Sequence, residues 1–233
     1  MATDVQAVPT PMPDAPPPPA DDARLYDRSS LPFEGMVTLS GQSEEDFWVH
    51  APEKQYCEYI DGVVYMPSPV SAPHQDEVGF LFWLLHTFRL ERGTGRVTMG
   101  PEPLRLGPGR VPEPDVFVRP VGWQGGQRDE PPDPPAVLVI EILSPSTRYH
   151  DLNLKAKAYQ DAKVPDIWFV DGRDKVVVAY RREGDGYRVD RVAQGRLTCS
   201  ALAGFWIDAA WLWADPLPDP RRCLAAILAG PAA

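Results

Sequence analysis

The period of the apolar positions changes along the chain, and each change marks an element. Val137-Leu138-Val139-Ile140-Glu141-Ile142 is almost continuously aliphatic, which predicts a strand buried on both faces. Ser144-Pro145-Ser146-Thr147 then turns the chain. From Asp151 to about Lys163 the period becomes helical: Asp151, Lys155, Ala158, Tyr159 and Ala162 share one face, and Val164-Pro165 stops the helix. Upstream, Val78, Leu81, Phe82, Leu85 and Phe88 predict a helix over residues 74–91, ended by Gly93 and Gly95. His74 lies at its start, where a histidine usually caps or packs.

Strand signals surround these helices. Asp61-Gly62 between Tyr59-Ile60 and Val63-Val64-Tyr65 predicts a hairpin with Glu58 on its first arm. Val97–Leu106 reads as one or two strands, and Asp115-Val116-Phe117-Val118 as a short strand opening on an acid. Residues 167–170 and 176–180 form a second hairpin pattern, continued by Tyr187-Arg188-Val189 as an antiparallel meander. Ser43 before Glu44, Glu45 and Asp46 marks a capped helix start, with the helix ending near Pro52. Residues 120–135 read as an exposed loop. Phe205, Ile207, Trp211, Leu212 and Trp213 form an aromatic cluster suited to packing in the core or between two copies. Cys223 to Leu228 is a small apolar helix.

Composition narrows the picture. At 233 residues and 43% hydrophobic, the chain can bury one sizeable core. Residues 1–30 are a proline-rich tail expected to stay disordered. No apolar run reaches membrane-spanning length and no secretory pattern opens the chain. The three cysteines are scattered, without metal spacing. A soluble, cytoplasmic protein is the expectation. The net charge of −10 argues against coating DNA through bulk electrostatics, while allowing a local site.

The acids carry the chemistry. A carboxylate inside a buried strand is costly unless something pairs with it, so Glu141 needs a partner. Lys155 shares its helix face with small and aromatic residues, an unusual place for a lysine chosen for solubility. If the strands of Asp115 and Glu141 pair, alternation lets both acids face one side, and Glu58 could add a third carboxylate. Such a cluster suits a hard cation and phosphodiester hydrolysis, with Lys155 acting on the phosphate or the water. The same residues also allow a buried salt bridge from Glu141 to Lys155 or Arg148, with Asp115 a turn residue.

Pro114-Asp115, Glu141 and a following lysine resemble the PD-(D/E)XK nuclease superfamily. The closer resemblance is to the Uma-two family of bacterial restriction endonucleases. It rests on Glu58-Tyr59-Ile60-Asp61-Gly62, Pro114-Asp115-Val116, Glu141-Ile142-Leu143-Ser144-Pro145-Ser146-Thr147, Asp151 with Lys155 and Tyr159, and Trp168-Phe169-Val170-Asp171, and covers roughly residues 40–213. Leu143 stands where the superfamily's lysine would be. The resemblance implies that this role has moved to Lys155.

The resemblance implies an α/β (α+β) fold: a restriction-endonuclease-like mixed sheet flanked by helices, with the antiparallel meander. The expected nuclease domain is 31–214, followed by a 215–233 tail with the short helix. The implied activity is Mg²⁺- or Mn²⁺-dependent DNA cleavage. Asp115 and Glu141 would bind the metal, Glu58 would complete the cluster or hold a second ion, and Lys155 would act on water or phosphate. Tyr159 is expected to pack behind Lys155 and Asp151 to cap the helix. A homodimer would let two strands be cut and would bury Trp211 and Trp213. Two other readings are a catalytically silent nuclease-fold module that binds a protein, and a hydrolase of small phosphoesters.

Overall fold

The computed structural model describes residues 35–51 and 56–230. The proline-rich stretch 1–30 lies outside them, as does Pro52. Among the described residues, no helix is long and apolar enough to cross a membrane.

The central layer is a six-stranded sheet, in order β10-β9-β8-β7-β6-β4. Its strands are β4 (Val97–Met99), β6 (Val116–Val118), β7 (Leu138–Ile142), β8 (Asp166–Asp171), β9 (Val176–Glu183) and β10 (Gly186–Val192). Only β7 and β8 run parallel. They are joined by a helical run: α3 (Arg148–His150), a π-helical turn (Asp151–Lys155) and α4 (Ala156–Asp161). A parallel pair needs such a crossover, whereas the antiparallel pairs β8-β9 and β9-β10 close through short turns. The mixed sheet and the β8-β9-β10 meander match the expected fold class.

Alternation along β7 divides the core. Leu138, Ile140 and Ile142 pack with Val78, Leu81, Leu85 and Phe88 of the long helix α2 (Ala72–Arg92). Val139 packs on the opposite face with Phe117, Ile167, Phe169 and the α4 residues Ala156, Ala158 and Tyr159. The strand is therefore buried on both sides, which explains its unbroken apolar run. α2 carries its expected apolar face, is capped by Ser71 and ends on Gly93 in the left-handed region.

A second, antiparallel sheet has the order β1-β3-β2-β5. It contains the predicted hairpin, β2 (Glu58–Ile60) and β3 (Val63–Met66), between β1 (Val37–Ser40) and β5 (Arg110–Val111). β1 adds to the expected elements; Val37-Thr38-Leu39-Ser40 alternates apolar and polar, but four residues at the sheet's edge are a short signal. α1 (Glu44–His50) starts in a capping box between Ser43 and Asp46 and ends at Ala51. Between Val97 and Leu106 only Val97–Met99 is strand. Pro101 and Pro103 lack the N–H groups a ladder needs, and the chain continues as a loop whose Leu104 and Leu106 hydrogen-bond Pro112 and Arg110.

The C-terminal part completes the larger core. β11 (Arg196–Thr198) pairs with β12 (Trp206–Asp208). The helix expected at Cys223–Leu228 is α5 (Pro220–Ala229), and its Cys223, Leu224 and Ile227 join the core cluster that includes α2. Trp211 lies against Trp206, and Trp213 donates its indole N–H to the Ala193 carbonyl at 2.7 Å.

Gly95 sits where two backbones meet: a Cβ there would lie 1.6 Å from the Arg119 carbonyl oxygen. No side-chain adjustment relieves a clash with backbone. Gly95→Ala is expected to lower stability by at least about 2 kcal/mol, read as a drop in the urea midpoint. An unchanged midpoint would contradict this packing.

Candidate active site

The site is assembled where the two sheets meet the helical run. β6 and β7 pair antiparallel with Val116 opposite Ile140, and one step further brings Asp115 level with Glu141. Asp115 sits just ahead of its strand, where Oδ2 accepts the Ile142 N–H at 2.7 Å and meets His74 Nε2 at 3.3 Å. Glu58 enters from β2 of the other sheet, and its Oε1 accepts the Glu113 N–H at 3.0 Å. Glu113 Oε2 in turn accepts the Cys57 N–H at 3.0 Å. These two reciprocal bonds tie the start of β2 to the segment leading into β6.

Lys155 closes the arrangement. It is 4% exposed, and its Nζ lies 2.8 Å from Glu58 Oε1 and 2.7 Å from Glu141 Oε1. Asp151 Oδ1 and the Glu113 carbonyl are more distant, each at 3.5 Å. Tyr159 Oη donates to Glu141 Oε1 at 2.5 Å. The structure thus brings Glu58, Glu141 and Lys155 into direct contact and sets Asp115 beside Glu141. Tyr159 borders the pair as expected. Glu141 pairs with Lys155, while Arg148 turns to Asp171 and Asp174.

Asp151 corrects the sequence reading. The helical run begins earlier, at Arg148, because Ser144 Oγ accepts the Thr147 N–H and the Ser144 carbonyl accepts the Arg148 N–H. Asp151 is therefore an interior residue with a buried side chain facing Lys155, and no helix cap. Of the two roles expected for His74, capping and packing, the structure shows packing: Ser71 caps α2, and the buried His74 ring lies against Asp115.

Sequence reasoning missed His150 and Glu113. His150 Nε2 lies 2.9 Å from Glu58 Oε2, with its ring against Tyr65 at 4.4 Å between centroids. Glu113 stands two residues before Asp115, and period-two alternation alone could have flagged it. No comparable signal marks His150.

Comparison with known families decides what this constellation belongs to. Residues 45–210 match the Uma2 family model, described as "Putative restriction endonuclease". This chain belongs to the Uma2 family. A solved structure described as a putative nuclease belonging to DUF820, from Anabaena variabilis, is similar in fold. It has 16% identity and a TM-score of 0.60, with 74% of this chain and 97% of that one covered. No curated protein matches the chain.

The electrostatics of the Uma2 site are those of too many acids for one lysine. Glu58, Glu113, Asp115, Glu141, Asp151 and Lys155 line one cleft, together with His74 and His150. Burial tends to raise the Glu58 carboxyl, but Lys155 and His150 overcome it and hold it at about 2. Burial pushes Glu141 well above the usual carboxylate range, with Lys155 opposing and Asp151, Asp115 and Glu58 adding to the rise. Asp151 is raised for similar reasons. Burial lifts Glu113 to about 8, and Glu77 on α2 to about 7. Lys155 stays charged: its acidic neighbours outweigh burial and raise it well above its usual value.

Hard carboxylate oxygens and a surplus of buried acid suit Mg²⁺ or Mn²⁺. Among the described residues, no three acids, histidines or cysteines converge as a ready cage. Mg²⁺ does not require one, since it keeps several waters and takes one or two carboxylates. Asp115 and Glu141, on adjacent strands, are the pair this chemistry would use.

Proposed function

We propose that this Uma2 protein is a metal-dependent endonuclease that hydrolyses DNA phosphodiester bonds. The observation that carries the reading is the Lys155 ammonium seated between Glu58 and Glu141 in the cleft that also contains Asp115. Asp115 and Glu141 would hold Mg²⁺ or Mn²⁺, which when bound supplies positive charge beside the scissile phosphate and an acidified water. The protein's own groups do the positioning. Ile142 N–H and His74 fix one oxygen of Asp115, and Tyr159 fixes one oxygen of Glu141.

Lys155 has three N–H donors, and two are committed to short ion pairs. Among the described residues, the third has only the two 3.5 Å partners. That donor is available to a phosphate oxygen or to the attacking water, where a fixed charge in a water-poor cleft is most effective.

The test is cleavage of supercoiled plasmid in Mn²⁺ and in chelator, with calorimetric Mn²⁺ titration of wild type and Glu141→Ala. Nicked or linear product is expected only with metal, and metal uptake is expected to fall at least about tenfold in the variant. Absence of metal uptake, unaffected by Glu141→Ala, would sink the reading. It would favour a silent module that binds a protein partner, which the net charge of −10 also suits. Cleavage of small phosphodiesters without cleavage of plasmid would move the substrate class instead.

A further inference from the structure

We infer that Glu58 is a positioning residue for Lys155 and no metal ligand, and that His150 is the clamp that holds Glu58 in that role. The inference rests on the nuclease reading above and assigns parts within the same site.

The three acids differ in which oxygens remain available. Glu58 Oε1 accepts from Lys155 Nζ at 2.8 Å and from the Glu113 N–H at 3.0 Å, and Oε2 pairs with His150 Nε2 at 2.9 Å. Both of its oxygens are taken. Glu58 is 3% exposed, and with each oxygen already held by a buried partner it is the least free of the three acids to turn toward a metal. Asp115 and Glu141 are different. Every hydrogen bond to Asp115 falls on Oδ2, and every one to Glu141 on Oε1. Among the described residues, Asp115 Oδ1 and Glu141 Oε2 accept none. Two carboxylates with one oxygen fixed and one free are oriented ligands, whereas a carboxylate bonded at both oxygens is a bracket.

The helical run shows what the bracket holds. Glu58 grips it at His150 and Lys155, one immediately before the π-helical turn and one at its end. Residues five apart in a regular α-helix lie about 140° apart around the axis. The wider i→i+5 turn brings them toward one side, and Glu58 spans the two. The ionised Glu58 carboxylate is acceptor only, so His150 contributes Nε2–H to it. Tyr65 backs the imidazole ring. β2 therefore fixes the widened turn from outside the helix, and with it the location of Lys155 Nζ.

The experiment compares wild type, Glu58→Gln, His150→Gln and Asp115→Asn. Each is checked for fold by circular dichroism and titrated with Mn²⁺ by calorimetry, and plasmid cleavage is resolved into kcat and KM. Glu58→Gln is expected to keep Mn²⁺ affinity within about threefold of wild type while kcat falls about 100-fold and KM stays within threefold. His150→Gln is expected to follow the same pattern with a fall of about tenfold, and Asp115→Asn to lose Mn²⁺ affinity by more than about tenfold. A folded Glu58→Gln that binds Mn²⁺ as weakly as Asp115→Asn would overturn the assignment alone. Should Glu58→Gln fail to fold, His150→Gln decides: lost metal affinity overturns the assignment, and lost kcat at retained affinity supports it. Wild-type protein that takes up no Mn²⁺ would overturn the nuclease reading and this assignment with it.

Discussion

Lys155→Met is expected to abolish measurable cleavage, a loss of about 10³-fold in kcat, and to cost about 3–5 kcal/mol of stability at pH 7. Methionine fills much of the same volume but removes the positive charge facing Glu58, Glu141 and Asp151. Breaking a buried pair by deleting one partner leaves the other charge uncompensated, which is more costly than never having built the pair. The sign with pH follows. In wild type, Glu58 is held at about 2, below its unfolded value of 4.5. It therefore stabilises the fold above pH 4.5, and that contribution fades as pH falls toward 2. Without Lys155 the buried acids titrate above their unfolded values, so the variant gains stability on acidification through proton uptake. The gap between the two proteins should be widest near neutrality and shrink toward pH 5. Urea unfolding at pH 5, 6 and 7 measures it; equal stability at all three would mean that Lys155 is not the counter-ion of this cluster.

The parts of the site that obey a local period could be read from the chain. Glu141 stood out as the one acid in an aliphatic run. Lys155 stood out as a lysine on a helix face with Ala158 and Tyr159. The common facing of Asp115 and Glu141 followed from alternation once their strands paired. The rest depended on geometry that no local period encodes. A helical wheel drawn at 3.6 residues per turn carries no trace of the π-helical turn, so it does not bring His150 and Lys155 together. Asp151 looked like a cap because Asp favours helix starts, but Ser144 starts the helix three residues sooner. The loop after β4 was hidden by leucines at period two, although Pro101 and Pro103 break the ladder between them. The Glu58–Glu113 link joins two sheets through residues 55 positions apart, a contact decided only when those sheets pack.

Glu113 supplies a test that needs neither metal nor DNA. Burial lifts its carboxyl from 4.5 to about 8, with the Cys57 N–H opposing, Glu58 adding to the rise and Lys155 opposing. A group whose folded pKa is raised stabilises the fold fully below its unfolded value and loses that contribution as pH climbs through the folded one. In chelator, wild-type stability is therefore expected to fall between pH 4.5 and 8. Glu77, raised to about 7 mainly by burial, and His74, raised by its hydrogen bond to Asp115 against burial, act in the same direction. Glu113→Gln retains an amide oxygen to accept the Cys57 N–H and has no proton to lose. It should match wild type near pH 5 and exceed it by roughly 2–4 kcal/mol at pH 8, with a shallower slope between. Mn²⁺ bound at Asp115 and Glu141 would favour the charged forms of the surrounding acids, so saturating Mn²⁺ should flatten the wild-type slope as well. Chemical denaturation across pH 5–8, with and without Mn²⁺, reads all of this. A wild-type profile already flat in chelator, or a Glu113→Gln profile as steep as wild type, would mean that Glu113 is ionised in the fold and that the cleft is less short of positive charge than its five acids imply.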